Sequence, residues 1–250
     1  MPDILLTALA LPGLWWLCIV SFVAGLVRGF SGFGSGLILL PATVAALGPV
    51  AGITVMTVAD LSGPLPILRR AIQQVHWPDL ARLLGATAVV LPVGVWLLLL
   101  IDPFVFRYVL CAVALTTLAC LISGVRFKGK LTPPLVLTTG GLAGFLGGVV
   151  GVPGPPIITL YLASTLPVAV IRSTILLYLF FYDLLLIGIY AANGRLLIDA
   201  LWIGVVLALP NIAGNMIGAA IFRPSLEAFY RAVAYVLIAF SALSALPLWD

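Results

Sequence analysis

Long uninterrupted apolar runs, separated by short polar breaks, organise this chain. Eight can be drawn, at about 14–47, 50–68, 79–100, 104–123, 133–164, 168–191, 198–221 and 229–247. Most approach the roughly 20 residues that an α-helix needs to cross hydrocarbon. None alternates apolar with polar in the manner of a membrane barrel strand. The breaks fall at Gly48-Pro49, Arg69-Arg70 through Pro78, Asp102-Pro103, Arg126 through Lys130, Asn193-Gly194-Arg195 and Arg223-Pro224. Proline removes a backbone donor and glycine frees the backbone, so both stop helices. Short connections predict antiparallel packing of neighbours.

Two runs are anomalous. The first and fifth would each be about 50 Å long if helical, too long for one straight crossing and too short for two. Both carry a cluster of helix breakers: Gly29-Phe30-Ser31-Gly32-Phe33-Gly34-Ser35-Gly36 in one, and Gly147-Gly148-Val149-Val150-Gly151-Val152-Pro153-Gly154-Pro155-Pro156 in the other. Each is expected to break its helix.

The two clusters also match each other. Ala24-Gly25 corresponds to Ala143-Gly144, Gly29 to Gly148 and Gly32 to Gly151, with Asp79 and Asp199, then Pro103 and Pro224, following at nearly the same spacing. The expected organisation is therefore an N-terminal lead (1–13), a first repeat (14–125), a basic loop (126–132) and a second repeat (133–250). Each repeat is one broken segment followed by three ordinary ones. Repeated halves broken at the same place are a sequence mark of secondary transporters, with the site at the breaks.

Composition narrows the class further. The chain has 250 residues, 63% hydrophobic and 8% charged. Its mean hydropathy is +1.28. A soluble surface needs about 25% charge, so an ordinary soluble enzyme, a nucleic-acid binder and a disordered chain are excluded. The fold class is an all-α polytopic integral membrane protein. The N-terminus lacks the basic start and small-residue site of a cleaved signal peptide and is expected to be retained. The net charge of +4 is spread over short loops, which is how topology is encoded. If all eight segments cross once, bases divide seven to four; if the broken segments dip in and return, they divide nine to two. The second count favours inverted repeats with both termini outside.

Candidate chemistry centres on the breaks. Irregular backbone at membrane depth is tolerated only inside protein or beside water. Half-helix N-termini there offer N–H groups to an anion. Ser31, Gly32, Gly34, Ser35 and Gly36 in the first break, with Gly151, Pro153, Gly154 and Pro155 in the second, form the expected substrate site, a donor-rich cradle without a carboxylate. Arg28 is positioned to add a fixed positive charge. For Gly25, Gly29, Gly144 and Gly148, close helix packing is the preferred reading.

Ionisable residues inside spans are costly and functional. Asp60 and Asp183 are the candidates for proton coupling or gating, or for a salt bridge to Arg28 or Arg172. Asn211 and Asn215, one turn apart, are candidates to line the pathway, as are Tyr182 and Arg172, with Thr57, Ser62 and Tyr178 weaker. His76 reads as an interfacial residue beside Trp77. Cys18, Cys111 and Cys120 read as buried hydrophobes, and a single histidine argues against a metal site. No cofactor is called for, and no ATP-binding motif is present.

The pattern Ala24-Gly25-x-x-x-Gly29-x-x-Gly32-x-Gly34-x-Gly36, echoed by Gly151-x-x-Gly154-Pro155-Pro156, resembles the TauE/SafE family of sulfite-exporter-like permeases. Tyr161-Leu162 followed by Arg172-Ser173-Thr174 is similar to that family's second half. The resemblance implies a multi-pass protein of the bacterial cytoplasmic membrane that moves sulfite, sulfonates, sulfoacetate-like compounds or other small organosulfur or carboxylate anions. Its expected partners are that anion, the lipid bilayer and protons as the candidate coupling ion. The expectation is a secondary transporter with alternating access. A passive anion channel and a non-transporting anion-binding membrane subunit are the alternatives.

Overall fold

The computed structural model describes residues 13–32, 34–65, 68–123, 131–162, 164 and 166–246. The N-terminal lead up to residue 12, and Arg126, Lys128 and Lys130 of the basic loop, lie outside them. Among the described residues there are eleven α-helices and no strand: α1 (Leu14–Ser31), α2 (Ser35–Leu47), α3 (Pro49–Leu61), α4 (Leu68–Gln74), α5 (Trp77–Leu98), α6 (Pro103–Ser123), α7 (Pro133–Val150), α8 (Gly154–Leu162), α9 (Val168–Ala192), α10 (Ile198–Ile221) and α11 (Glu227–Ser244).

Among the described residues, six helices are long and apolar enough to cross a membrane: α1, α5, α6, α7, α9 and α10. Three shorter apolar helices cover Ser35–Leu47, Pro49–Leu61 and Phe229–Ser244. With the nine-residue α8, these helices fall over the drawn segments, two in the first and two in the fifth. The second segment, drawn to residue 68, stops as a helix at Leu61. Ser62-Gly63-Pro64 explains the stop, because a proline disfavours helical backbone in the residue before it. The connection around Arg69-Arg70 holds the short helix α4. Trp15, Val89, Trp96, Leu209 and Phe240 are all more than 60% exposed, an apolar surface suited to lipid rather than to water.

Both long segments break where the glycines predict. α1 ends on Gly32 (φ 81°), whose N–H returns to the Arg28 carbonyl at 2.8 Å. α7 ends on Gly151 (φ 74°), whose N–H returns to the Gly147 carbonyl at 2.8 Å. Left-handed backbone of this kind carries a steric penalty for other residues. The helix bounds repeat as well: Leu14 and Pro133, Ser31 and Val150, and Ser35 and Gly154 are each 119 residues apart.

The chain forms two compact units. One comprises Met1–Gly63, Asp102–Leu118 and Tyr190–Asp250; the other comprises Pro64–Ile101 and Ala119–Ile189. Each draws helices from both sequence halves.

In the first unit, α1 packs along α10 with backbone against backbone. A Cβ on Gly25 would overlap the Asn211 carbonyl, one on Gly29 the Asn215 carbonyl, and one on Gly218 the Leu26 carbonyl. In lipid, helices associate by close packing rather than by a hydrophobic force, and small residues permit it. Ser21 Oγ adds a hydrogen bond to the Leu207 carbonyl at 2.8 Å. α2 and α3 form an antiparallel hairpin about Gly48. Thr43 Oγ1 donates to the Gly52 carbonyl at 3.0 Å near the turn. At the open end, Ser35 reaches Asp60. α11 joins α2 through Ser241 Oγ, which donates to the Ile38 carbonyl at 2.7 Å.

In the second unit, α7 packs along α5 in the same manner. A Cβ on Gly148 would lie 2.7 Å from the Gly94 Cα, and one on Gly140 would lie 2.6 Å from the Leu83 carbonyl. Thr87 Oγ1 donates to the Gly140 carbonyl at 2.9 Å. Thr87 has only one hydroxyl proton, so the Tyr178 hydroxyl, 2.9 Å away, is the donor to Thr87.

Candidate functional site

The first break gathers Arg28, Ser35 and Asp60. Arg28 is the last basic residue of α1, one turn before Gly32. Gly34 (φ 94°) opens α2 without a side-chain cap, so Ser35 starts the helix. The α2–α3 hairpin brings Asp60, at the end of α3, back to this point. Ser35 Oγ donates to Asp60 Oδ2 at 2.9 Å. Arg28 Nη1 lies 3.1 Å from Asp60 Oδ1. The directed N–H bond of that nitrogen goes instead to the Asp60 carbonyl oxygen at 3.2 Å. Oδ1 therefore has a Coulomb partner but no aligned hydrogen bond. Arg28 is buried, with 9% of its side chain exposed, and Asp60 shows 14%.

This corrects one expectation: the first break does contain a carboxylate. Two of the three side-chain donors expected to meet an anion, Arg28 and Ser35, already hold the chain's own. Pattern reasoning named Arg28 as a partner of an intramembrane aspartate but not Ser35, since the contact depends on the hairpin. Ser31 Oγ donates to the Val27 carbonyl of its own helix at 2.7 Å. Gly36 faces Met56, whose Sδ is 3.6 Å from where a Cβ would stand.

The second break is built differently. Pro155 and Pro156 occupy the first turn of α8, where helices leave N–H groups free. Prolines fit there but supply no N–H, so this break offers fewer donors than expected. Tyr182 Oη donates to the Gly147 carbonyl at 2.8 Å, the same oxygen that caps α7. The Tyr182 ring occupies the space where a Gly147 side chain would stand.

The remaining candidates are spread across the fold. Asp183 is buried in α9. Arg172 is exposed on the same helix; eleven residues at 1.5 Å each put it about 16 Å along the axis from Asp183, which removes it as that residue's ion partner. Asn215 Nδ2 donates to the Gly63 carbonyl at 3.2 Å and so ties off the chain leaving α3. Asn211 Nδ2 makes a long 3.5 Å bond to the Ser21 carbonyl. Its Oδ1 is buried without a hydrogen bond among the described residues.

Two features were missed. Asp79, read only as a repeat marker, is a buried charge on the first turn of α5, with Arg82 Nη1 at 3.1 Å and His76 Nδ1 at 3.0 Å. The signal was its three-residue spacing from Arg82, just after Pro78. The second is a pair of buried hydroxyls without hydrogen bonds among the described residues, Thr174 and Tyr190, which join Thr57, already a weaker pathway candidate. Such groups are unusual in protein interiors and mark places where a polar partner fits. Among the described residues, no three His, Cys, Asp or Glu side chains gather to hold a metal.

Crossing-length apolar helices with a lipid-suited surface, together with backbone broken at paired glycines, define a multi-pass membrane protein. The family model described as Sulfite exporter TauE/SafE matches residues 17–245, and the chain belongs to that family. Its members are membrane transporters, not enzymes, so the partners are the lipid bilayer and a small anion. No curated protein and no solved structure matches the chain.

Proposed function

We propose that this protein is a secondary carrier for a small sulfur-containing oxyanion, such as sulfite, a sulfonate or a sulfoacetate-like compound. It would act by alternating access in the cytoplasmic membrane, with protons as the coupling ion. The observation that carries this reading is the first break: a buried guanidinium and the hydroxyl of Ser35, the first residue of α2, converge on one carboxylate. A site that binds a carboxylate in this way has the donors for a sulfonate or sulfite oxygen. The 119-residue register of the helix ends supports two repeats. The nine-to-two division of bases supports their inversion.

The test is flux in liposomes holding purified protein. Loading with unlabelled sulfite, sulfoacetate or taurine should accelerate entry of the labelled compound, and the rate should saturate. Non-saturating flux with high conductance would replace the carrier with a channel. Binding without flux would make the chain an anion-binding subunit.

A further inference from the structure

Arg28, Ser35 and Asp60 carry an inference that deepens the carrier reading and rests on it. Asp60 lies on a short helix at the end of a hairpin. Arg28 and Ser35 reach it from α1 and α2, on the two sides of the break. The carboxylate thus sits where a substrate oxyanion would have to sit to use the same two donors. One guanidinium and one hydroxyl in a buried site cannot serve two anions equally, because the like charges repel where screening is weak.

The backbone adds a second element. Arg28 Nη1 directs its hydrogen bond to the Asp60 main-chain oxygen, not to the carboxylate. That oxygen does not titrate. When the side chain of Asp60 is neutral, the guanidinium keeps this anchor and stays at the break. Among the described residues no other carboxylate is within ion-pair distance of its charge. The carboxylate is held separately, by one aligned bond from Ser35 and one Coulomb contact with Arg28. The local charge is simple to count. α3 packs on α2 and α10, and α1 supplies Arg28. α2 carries no titratable side chain. The one charge on α10, Asp199, is exposed in that helix's first turn. Arg28 is therefore the sole charged group facing Asp60 from these helices among the described residues.

We propose that Asp60 is a tethered competitor for the transported anion: ionised, it occupies Arg28 and Ser35; protonated, it yields them to an oxyanion, so one proton enters the site with each anion. No covalent step is involved. The proton rests on the Asp60 carboxyl, and the net charge of the site changes by the anion and the proton together. The coupling is a consequence of sharing one cation.

The test is binding to the purified full chain by calorimetry, using sulfoacetate, methanesulfonate and thiosulfate. None of these changes charge between about pH 6 and about pH 8. Titrations in buffers of different ionisation enthalpy count protons directly and need no variant. The expected result is uptake of about one proton per anion, with affinity falling roughly tenfold for each unit rise in pH. In Asp60→Asn the proton uptake should vanish and the affinity should be flat with pH, at least matching the parent at its lowest pH. Anion binding without proton uptake in the parent would overturn the competitor, as would uptake that persists in Asp60→Asn. Both results leave the carrier reading standing. If none of the three anions binds at any pH and none is transported, the carrier reading falls and takes the competitor with it. Should Asp60→Asn fail to fold, the proton count on the parent decides alone.

Discussion

Gly25 and Asn211 touch backbone to backbone: a Cβ on the glycine would overlap the asparagine carbonyl oxygen. No side-chain movement can relieve that contact, because the obstructing atoms belong to the main chain of α10. Gly25→Ala is therefore expected to lower stability by about 1–3 kcal/mol through overpacking, read as a lower melting temperature and a lower yield in detergent. Gly85, exposed in α5 with nothing near its Cβ position, is the control. Gly85→Ala should raise stability by roughly 0.5–1 kcal/mol, through the better helix propensity of alanine.

Gly34 and Gly154 separate backbone strain from steric room. Gly34 has φ 94°, and the atom nearest to where its Cβ would stand is Ile238 Cδ1, at 3.6 Å. Gly34→Ala should cost about 1–2 kcal/mol for the left-handed conformation alone. At Gly154 the nearest atom is Ile158 Cδ1 at 3.4 Å and the backbone is not left-handed. Gly154→Ala should melt like the parent. Leucine at either position should abolish anion uptake while insertion persists, measured as flux per inserted protein. Normal flux in both leucine variants would remove the breaks from the pathway.

Tyr182→Phe should be mild. The variant keeps the ring beside Gly147 and loses the donor to the Gly147 carbonyl, which still accepts the Gly151 N–H. A cost of about 1 kcal/mol is expected. A much larger fall in melting temperature would show that the hydroxyl carries more of the second break than this bond.

Asp183→Asn separates the two intramembrane acids. With the proton carried at Asp60, the proton count per bound anion should stay near one in Asp183→Asn, measured by the same calorimetry. Stability should fall, because the change replaces a carboxylate oxygen by an amide in a buried position. Loss of the proton count would move coupling to α9.

A labelling experiment tests the inverted topology. A cysteine introduced beside Arg195, an exposed position, should react with an impermeant reagent in intact cells. One placed among Arg126 to Lys130 should be shielded. If every segment crosses once, the two loops share a side and label alike.

What could be read from the residues follows from the range of the forces involved. Helix ends and breaks are local. Gly32, Gly151 and Gly48 end helices because their own backbone takes positive φ, and that tendency is written at the residue itself. The early stop of α3 was also local, but Pro64 was outweighed by the apolar residues on either side of it. The short helix α4 was hidden by Arg69 and Arg70, which read as punctuation. The site was half legible. An arginine and an aspartate inside apolar runs announce a cost that something must offset, and they do pair. That Ser35 shares the carboxylate depends on a hairpin turning at one glycine, which no periodicity encodes. The partnership of α1 with α10 is tertiary, and the glycines on each helix say only that some backbone comes close.

That partnership bears on the order in which the protein is made. A ribosome that has completed α1 to α3 has produced Arg28, Ser35 and Asp60, yet the helix that covers the glycine face of α1 begins only at Ile198. Until α10 emerges, Gly25 and Gly29 present bare backbone to lipid or to the insertion machinery. The earliest residues of the fold are thus among the last to be sealed. A chain truncated before α10 would keep the hydrophobicity of its earlier helices, but the glycine face of α1 would have no backbone packed against it from α10.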